Sequence, residues 1–268
     1  MIFKRITFLI LLSFIITNIS KSDFKEIKKK AIITKPEIIF PIRENLDKCI
    51  TNMYVNQSTN LVLPVIKVDA PSGYGLDNRF MYALNKFENF KRPCGGGDIE
   101  ACENVKRVIL DWAKADAAKR TGPSNHEGRH WNDTLTVNLW VASPMMAGYS
   151  FAKQIIKVPD NEDKLIKDWF ERIVKKNKHL MYGMTYKQGT QAIGVPKRAH
   201  NHALSSAIAH MELGILLNDN IQFRKAFKNY EAAIKHQRGD GSLPIETRRG
   251  GRAMFYQGRA MNALAVIA

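Results

Sequence analysis

Apolar residues recur with a helical period over most of the chain beyond about residue 76. Val105, Val108, Ile109 and Trp112 fall at i, i+3, i+4 and i+7, which places them on one face of a helix. The pairs Leu165/Ile166, Trp169/Phe170 and Ile173/Val174 repeat the pattern after Asp160, with Glu162 and Asp163 in the first turn, where acids suit the helix dipole. Phe223, Phe227, Tyr230 and Ile234 repeat it after the capping run Asn218-Asp219-Asn220. Two stretches, 201–217 and 252–267, are rich in alanine and mostly apolar, and read as buried helices. Loops fall at Gly122-Pro123-Ser124, Val158-Pro159-Asp160 and Arg238-Gly239-Asp240-Gly241. Residues 32–75 contain Pro36, Pro41, Pro64 and Pro71 and hold no helical period, so they read as loop and short structure. Helices joined by short connections predict an all-α fold, a helical toroid or bundle.

The first residues have another character. Lys4 and Arg5 precede an apolar stretch from Ile6 to Ile16, followed by the polar tract Thr17-Asn18-Ile19-Ser20. That is the order of a secretory signal, so residues 1–20 are expected to be a signal peptide and the protein periplasmic or secreted. Eleven residues are too few to span a bilayer, which takes about 20, so no stable membrane insertion is expected after cleavage. Residues 21–75 form a leader and an irregular N-terminal segment.

Charge sharpens the picture. The 268 residues include 41 Lys and Arg against 25 Asp and Glu, a formal charge of +16. Without residues 1–20 there remain 39 cations against 25 acids, or +14. A surface of this kind attracts polyanions. Export argues against nucleic acid and for an extracellular polyanion. Of the three cysteines, Cys94 lies in the run Pro93-Cys94-Gly95-Gly96-Gly97 and Cys102 eight residues on. An oxidising compartment permits one disulfide, and Cys94 with Cys102, or Cys49 with either, could form it.

His126-Glu127-Gly128-Arg129-His130 matches the H-E-x-x-H pattern, in which two histidines one helical turn apart bind zinc and the glutamate activates water. The pattern needs a helix. Gly122, Pro123 and Gly128 disfavour one, the flanks carry no apolar period, and a third ligand is missing. A polar loop is the better reading, with no metal site, and a zinc protease is the weakest alternative.

Two other segments carry more chemistry. Lys197-Arg198-Ala199-His200-Asn201-His202 opens the apolar helix over 201–217. Glu246-Thr247-Arg248-Arg249-Gly250-Gly251-Arg252 runs into Ala253-Met254-Phe255-Tyr256-Gln257-Gly258-Arg259. On a continuous helix Arg252, Tyr256 and Arg259 share one face. Cations beside a phenol favour the phenolate, which makes a tyrosine usable as a general base near neutral pH.

The stretch from Arg198 to Ala268 resembles the alginate lyases, the poly(mannuronate) lyases. That family carries an Asn-His pair opening a helix, then a line of the type G-x-L-P-x-E-x-x-R, closely spaced arginines and a tyrosine. Here these read Asn201-His202, then Gly241 to Arg249, then Arg252 and Tyr256. The segment from Ala101-Cys102 through Trp112-Ala113 to Ala117 is similar to the family's Cys-then-Trp-Ala helix. Where the family commonly has an aromatic three places after the histidine, this chain has Ser205, and Gln257-Gly258 replace a common His-Asn. Family members usually continue beyond the place of Ala268. The resemblance implies an incomplete α/α toroid with a deep basic cleft over 76–268, truncated at its C-terminal end. It implies β-elimination at the 4-O-glycosidic bond of an acidic polyuronate, alginate or polymannuronate foremost. It assigns Asn201, His202 and Arg249 to neutralising the carboxylate, with His202 sharing the base role, and Tyr256 to proton transfer. Arg252, Arg198 and Arg259 would bind substrate. The chemistry requires no metal or organic cofactor. A non-catalytic polyanion-binding protein on the same fold is the alternative.

Overall fold

The structure, a computed structural model, describes residues 32–42, 67–68, 78–118, 120–121, 141–175 and 194–268. The signal-like residues 1–20, Cys49 and the His126–His130 motif lie outside the described residues.

Helices dominate the described residues: α1 (Asn78–Gly95), α2 (Ile99–Lys114), α3 (Ser143–Ile155), α4 (Asp160–Lys175), α5 (Asn201–Leu217), α6 (Asn220–His236), the short α7 (Pro244–Thr247) and α8 (Ala253–Ile267). Short 3₁₀ turns, Lys197–Ala199 and Gly250–Arg252, precede α5 and α8. The sequence pattern does not foretell one element. Lys67–Val68 (β1) pairs in parallel with Arg120–Thr121 (β2), with Lys67 opposite Arg120 and Val68 opposite Thr121. No helix among the described residues is long and apolar enough to cross a membrane.

The chain divides into two compact units, and the boundary falls inside α5. One unit takes residues 33–180 and 208–223, the other 181–207 and 224–268 together with residues 1–32.

In the first unit α2 packs on α1, α3 and α4, and α1 also meets α3. The periodic positions are the buried ones: Val105, Val108, Ile109 and Trp112 on α2, Ile166, Trp169, Phe170, Ile173 and Val174 on α4. Trp112 and Trp169 meet edge to face at 6.5 Å, and the Trp169 indole donates to Ala117 O at 2.9 Å, which satisfies its N–H in the core. Asp98 caps α2 by accepting from Ala101 N at 2.9 Å, and a Cys94–Cys102 disulfide ties the end of α1 to the first turn of α2. Residues 32–42 have no period of their own and are held by polar contacts. Ser150 Oγ, fully buried on α3, accepts from Ile39 N and donates to Glu37 O. Lys153 pairs with Glu37 and Asp163, as does Lys167, and the opposite charges hold both carboxylates below their usual range despite burial. Tyr149 donates to Asp163 at 2.6 Å, and burial together with that carboxylate pushes its phenol above the ordinary value.

The α5–α6 turn closes tightly around Gly214. A Cβ there would lie 2.9 Å from Phe223 N and 3.1 Å from Asp219 O, both backbone atoms that cannot swing aside. Asp219 Oδ1 fixes the same turn by accepting from Ile221 N and Gln222 N at 2.9 Å each. Gly214→Ala is therefore expected to destabilise the protein by about 1–3 kcal/mol, the usual cost of overpacking, and to lower the melting temperature by several degrees. An unchanged melting temperature would show that the turn can open.

Candidate functional site

The site lies within the second unit, where α5 begins. His200 has extended backbone (φ −77°, ψ 146°) and its carbonyl accepts the first helical bond, from Leu204 N at 2.9 Å, so His200 is the N-cap of α5. Asn201 then occupies the first helical position, where an N–H has no partner inside the helix. Glu246 supplies it: Oε1 accepts from Asn201 N at 2.7 Å across 45 residues of sequence. Glu246 reaches there from α7, which starts at Pro244, a residue suited to a first helical turn. The carboxylate is fully buried at the positive end of α5, where the helix dipole favours an anion.

Arg249 converges on the same carboxylate. Its Nη1 lies 3.5 Å from Glu246 Oε2 and 3.1 Å from His200 Nε2, while its Cζ stands 3.4 Å from the centre of the Tyr256 ring. A guanidinium only donates, so His200 Nε2 accepts from Arg249, while on the other edge of the ring His202 N stands 3.2 Å from His200 Nδ1 and 2.9 Å from Asn201 Oδ1. The His200 and His202 rings meet edge to face at 4.8 Å. Contacts therefore run from His202 through His200 and Arg249 to Tyr256. Asn201, His202, Glu246 and Tyr256 are all buried.

Burial sets the charge states. It lowers the His200 pKa to about 3, with the Arg249 cation adding to the effect. It lowers that of His202 to about 2, assisted by His200, Arg249 and Arg259. Both rings are neutral at working pH, so His202 offers a lone pair and an N–H but no positive charge. Burial also pushes the Glu246 carboxyl above its usual range, against the pull of the Asn201 N–H and of Arg249. The cationic neighbour in this cluster is Arg249.

Of the face expected of Arg252, Tyr256 and Arg259, helix α8 carries Tyr256 and Arg259, while Arg252 is left outside it. Helix α8 starts at Ala253, and Arg252 closes the 3₁₀ turn Gly250–Arg252 as an exposed residue. Gly250 turns the chain between Arg249 and α8 with a φ of +59°, in the left-handed region that glycine tolerates and other residues avoid. Arg259 lies over the Phe255 ring, 4.7 Å from its centre. The cation on Tyr256 comes instead from Arg249, before the turn. Arg198 sits half-buried on the 3₁₀ turn leading to His200. Ser205 faces inward and donates to Asn201 O at 2.9 Å. Gln257 accepts from Leu243 N at 3.0 Å, which ties the G-x-L-P segment to α8.

Sequence reasoning gives no role to Glu246 or His200, though both lie in the motifs. One signal points to Glu246. It is a lone acid just ahead of Arg248, Arg249 and Arg252, one residue beyond Pro244-Ile245 at a helix start.

A helical fold with an Asn-His helix start, a buried arginine and a tyrosine under it describes a class, and comparison names the class. Residues 34–268 match the family model of the alginate lyases, and the chain belongs to that family. Curated alginate lyases are similar at low identity: 25% over 176 residues for one from Pseudomonas syringae pv. syringae and 27% over 176 for one from Cobetia marina, each match covering 64% of this chain and 42% of the relative. One from Pseudomonas aeruginosa (strain LESB58) is 26% identical over 188 residues, covering 67% of this chain and 44% of the relative. The matched stretch thus spans less than half the length of these relatives. Among solved structures, alginate lyase A1-III from Sphingomonas species A1 superposes with a TM-score of 0.56 at 16% identity, covering 92% of this chain and 68% of that one. A tyrosine-to-phenylalanine variant of A1-III complexed with tetrasaccharide gives 0.61 at 17% identity, and a histidine-to-alanine variant in its apo form gives 0.64 at 15%. Each of these two covers 90% of this chain and 71% of the other. The likeness shows a shared fold, the α/α toroid of alginate lyase A1-III.

Proposed function

We propose that the protein is an exported polysaccharide lyase that cleaves the 4-O-glycosidic bonds of an acidic polyuronate, polymannuronate foremost, by β-elimination. The observation that carries this reading is the contact path His202–His200–Arg249–Tyr256 at the start of α5. The spacing in the solved relatives supports it. The histidine and tyrosine replaced in the A1-III variants stand 54 residues apart, as do His202 and Tyr256. A tetrasaccharide is bound in structures of both variants.

Elimination requires the C5–H bond to break, its electrons to form the C4=C5 double bond, and the C4–O bond to break with a proton going to the leaving oxygen. The C5 proton is acidic only when the neighbouring carboxylate is neutralised, because charge builds there in the transition state. Arg249 supplies the positive charge. Asn201 and neutral His202 supply hydrogen-bond donors, and His202 can share the base role through its lone pair. Tyr256 takes the C5 proton and returns one to the leaving oxygen. The Cys94–Cys102 disulfide supports an oxidising compartment, and with it a periplasmic or secreted location.

Mixing the protein with polymannuronate, polyguluronate and polyglucuronate is expected to raise the ultraviolet absorbance of unsaturated uronate for at least one of them. Binding should weaken steeply as salt rises, since the screening length falls to about 8 Å at physiological ionic strength. A neutral glucan should bind poorly throughout. Absence of the absorbance with every polymer, despite binding, would replace the lyase by a non-catalytic polyanion-binding protein.

A further inference from the structure

Glu246 and His200 have no part in the chemistry above, yet both are buried against the group that has most to do with charge. We propose that they are positioning residues: together they fix the plane of the Arg249 guanidinium so that its face lies on Tyr256 beside the Asn201–His202 helix start. The inference rests on the lyase reading for its catalytic consequence.

The geometry carries it. The N–H bonds of a guanidinium lie in its own plane, so acceptors at its edge determine where its faces point. Two contacts at its edge, to His200 Nε2 at 3.1 Å and Glu246 Oε2 at 3.5 Å, are made by Nη1, and the cation stands 3.4 Å from the Tyr256 ring centre. The acceptors are themselves immobile. The Glu246 side chain is 0% exposed and that of His200 6%, and the second Glu246 oxygen is fixed to the backbone of Asn201 at 2.7 Å. One carboxylate thus refers the arginine to the helix that presents Asn201 and His202. His200 does the same from the other side, with one edge on Arg249 and its ring against His202. Arg249 is only 9% exposed, and a cation so buried needs an anionic partner. Glu246→Gln keeps one carbonyl oxygen, which can serve Asn201 N–H or Arg249 but not both. His200→Leu removes the other acceptor. Either change frees the guanidinium to turn off the ring, and misplacement on the order of 1 Å is enough to cost roughly 100-fold.

The test is a double-mutant cycle on a polyuronate that the wild type cleaves, with Glu246→Gln, Arg249→Ala and the double variant compared at one pH near 7.5. Glu246→Gln should reproduce in smaller measure the losses of Arg249→Ala, with kcat/KM down roughly 10–100-fold. In the Arg249→Ala background the same change should cost less than about threefold, because the residue through which it acts is gone. Losses that multiply in the double variant would mean a structural role and overturn the proposal. If Glu246→Gln does not fold, His200→Leu enters the same cycle, and His200→Gln, which retains an acceptor, should recover most of the loss. A second readout is independent of turnover. The Arg249 side-chain Nε–H resonance should show slow solvent exchange in the wild type and fast exchange in Glu246→Gln and in His200→Leu. Protection that persists in both variants overturns the positioning role. Absence of product from the wild type with every polyuronate overturns the lyase reading and leaves the exchange measurement to decide the clamp.

Discussion

Tyr256→Phe is expected to remove most turnover, about 10²–10⁴-fold, the range in which general acid–base groups contribute. The change deletes one oxygen and keeps the ring. That ring is buried, lies under the Arg249 cation at 3.4 Å and meets Phe255 edge to face at 5.2 Å. Those contacts are made by carbon, so packing and cation–π attraction survive, and the melting temperature should move by no more than a few degrees. The residues proposed to hold the substrate's carboxylate, Arg249, Asn201 and His202, are untouched, so affinity should be nearly preserved. Loss of kcat at constant affinity marks a group that acts in the transition state alone. Arg249→Ala should differ by weakening affinity and turnover together, since its charge meets the carboxylate in both states. Rates near those of the wild type for Tyr256→Phe would make this tyrosine a packing residue and undo the site assignment.

Much of the fold and half of the site are legible in the sequence, and the division has a physical cause. Helix faces are written in local periodicity, so Val105 to Trp112 and Ile166 to Val174 are found buried where the pattern places them. The Asp219 cap is equally local. Residues 32–42 are different. Their order comes from Ser150, Lys153 and Gln154, more than 100 residues away, and distant partners leave no trace in a period. The same holds for β1 and β2, too short to show alternation. At the site, Asn201, His202, Arg249 and Tyr256 stand out as a motif. Which arginine meets the tyrosine does not, because it depends on the turn at left-handed Gly250 between α7 and α8. Glu246 is hidden for a related reason: an acid among arginines reads as surface charge until its burial is seen.

The protein is also expected to lose stability steeply on acidification below pH 6.5. His200, His202 and His210 are buried and neutral, with pKa values lowered by burial to about 3, 2 and 4. His210 Nε2 has no hydrogen-bond partner among the described residues, so a proton there would find no acceptor. In the unfolded chain each ring titrates near 6.5. Below that value the unfolded state holds protons that the folded state does not, and each ring costs about 1.4 kcal/mol of stability per pH unit until its folded pKa is reached. Two buried carboxyls act in the opposite sense: Glu246, pushed above its usual range by burial, and Glu212. Glu212, wholly buried, has its pKa raised by burial to about 8, so the folded state holds its proton between about 4.5 and 8, and that contribution is lost as pH rises through this window. Three histidines against Glu212 leave a net loss of roughly 2–3 kcal/mol per pH unit below 6.5, which Glu246 reduces further as its own raised pKa is passed on the way to 4.5. The slope steepens below 4.5, where Glu212 no longer offsets it and Glu37 and Asp163 bind protons in the unfolded chain while their ion pairs keep them ionised in the folded one. A domain whose stability lies toward the lower end of the typical 5–15 kcal/mol should therefore unfold near pH 4. Melting temperatures measured at pH 8, 6.5, 5.5 and 4.5 should peak near 6.5 and fall sharply on the acid side. Glu212→Gln should flatten the decline between 6.5 and 8, and His210→Gln should reduce the acid slope between 6.5 and 4.5 by about half. A melting temperature that stays level from 6.5 to 4.5 would show that these histidines take up protons freely in the folded protein, and that the neutral state assigned to His202 in the proton-transfer step is wrong.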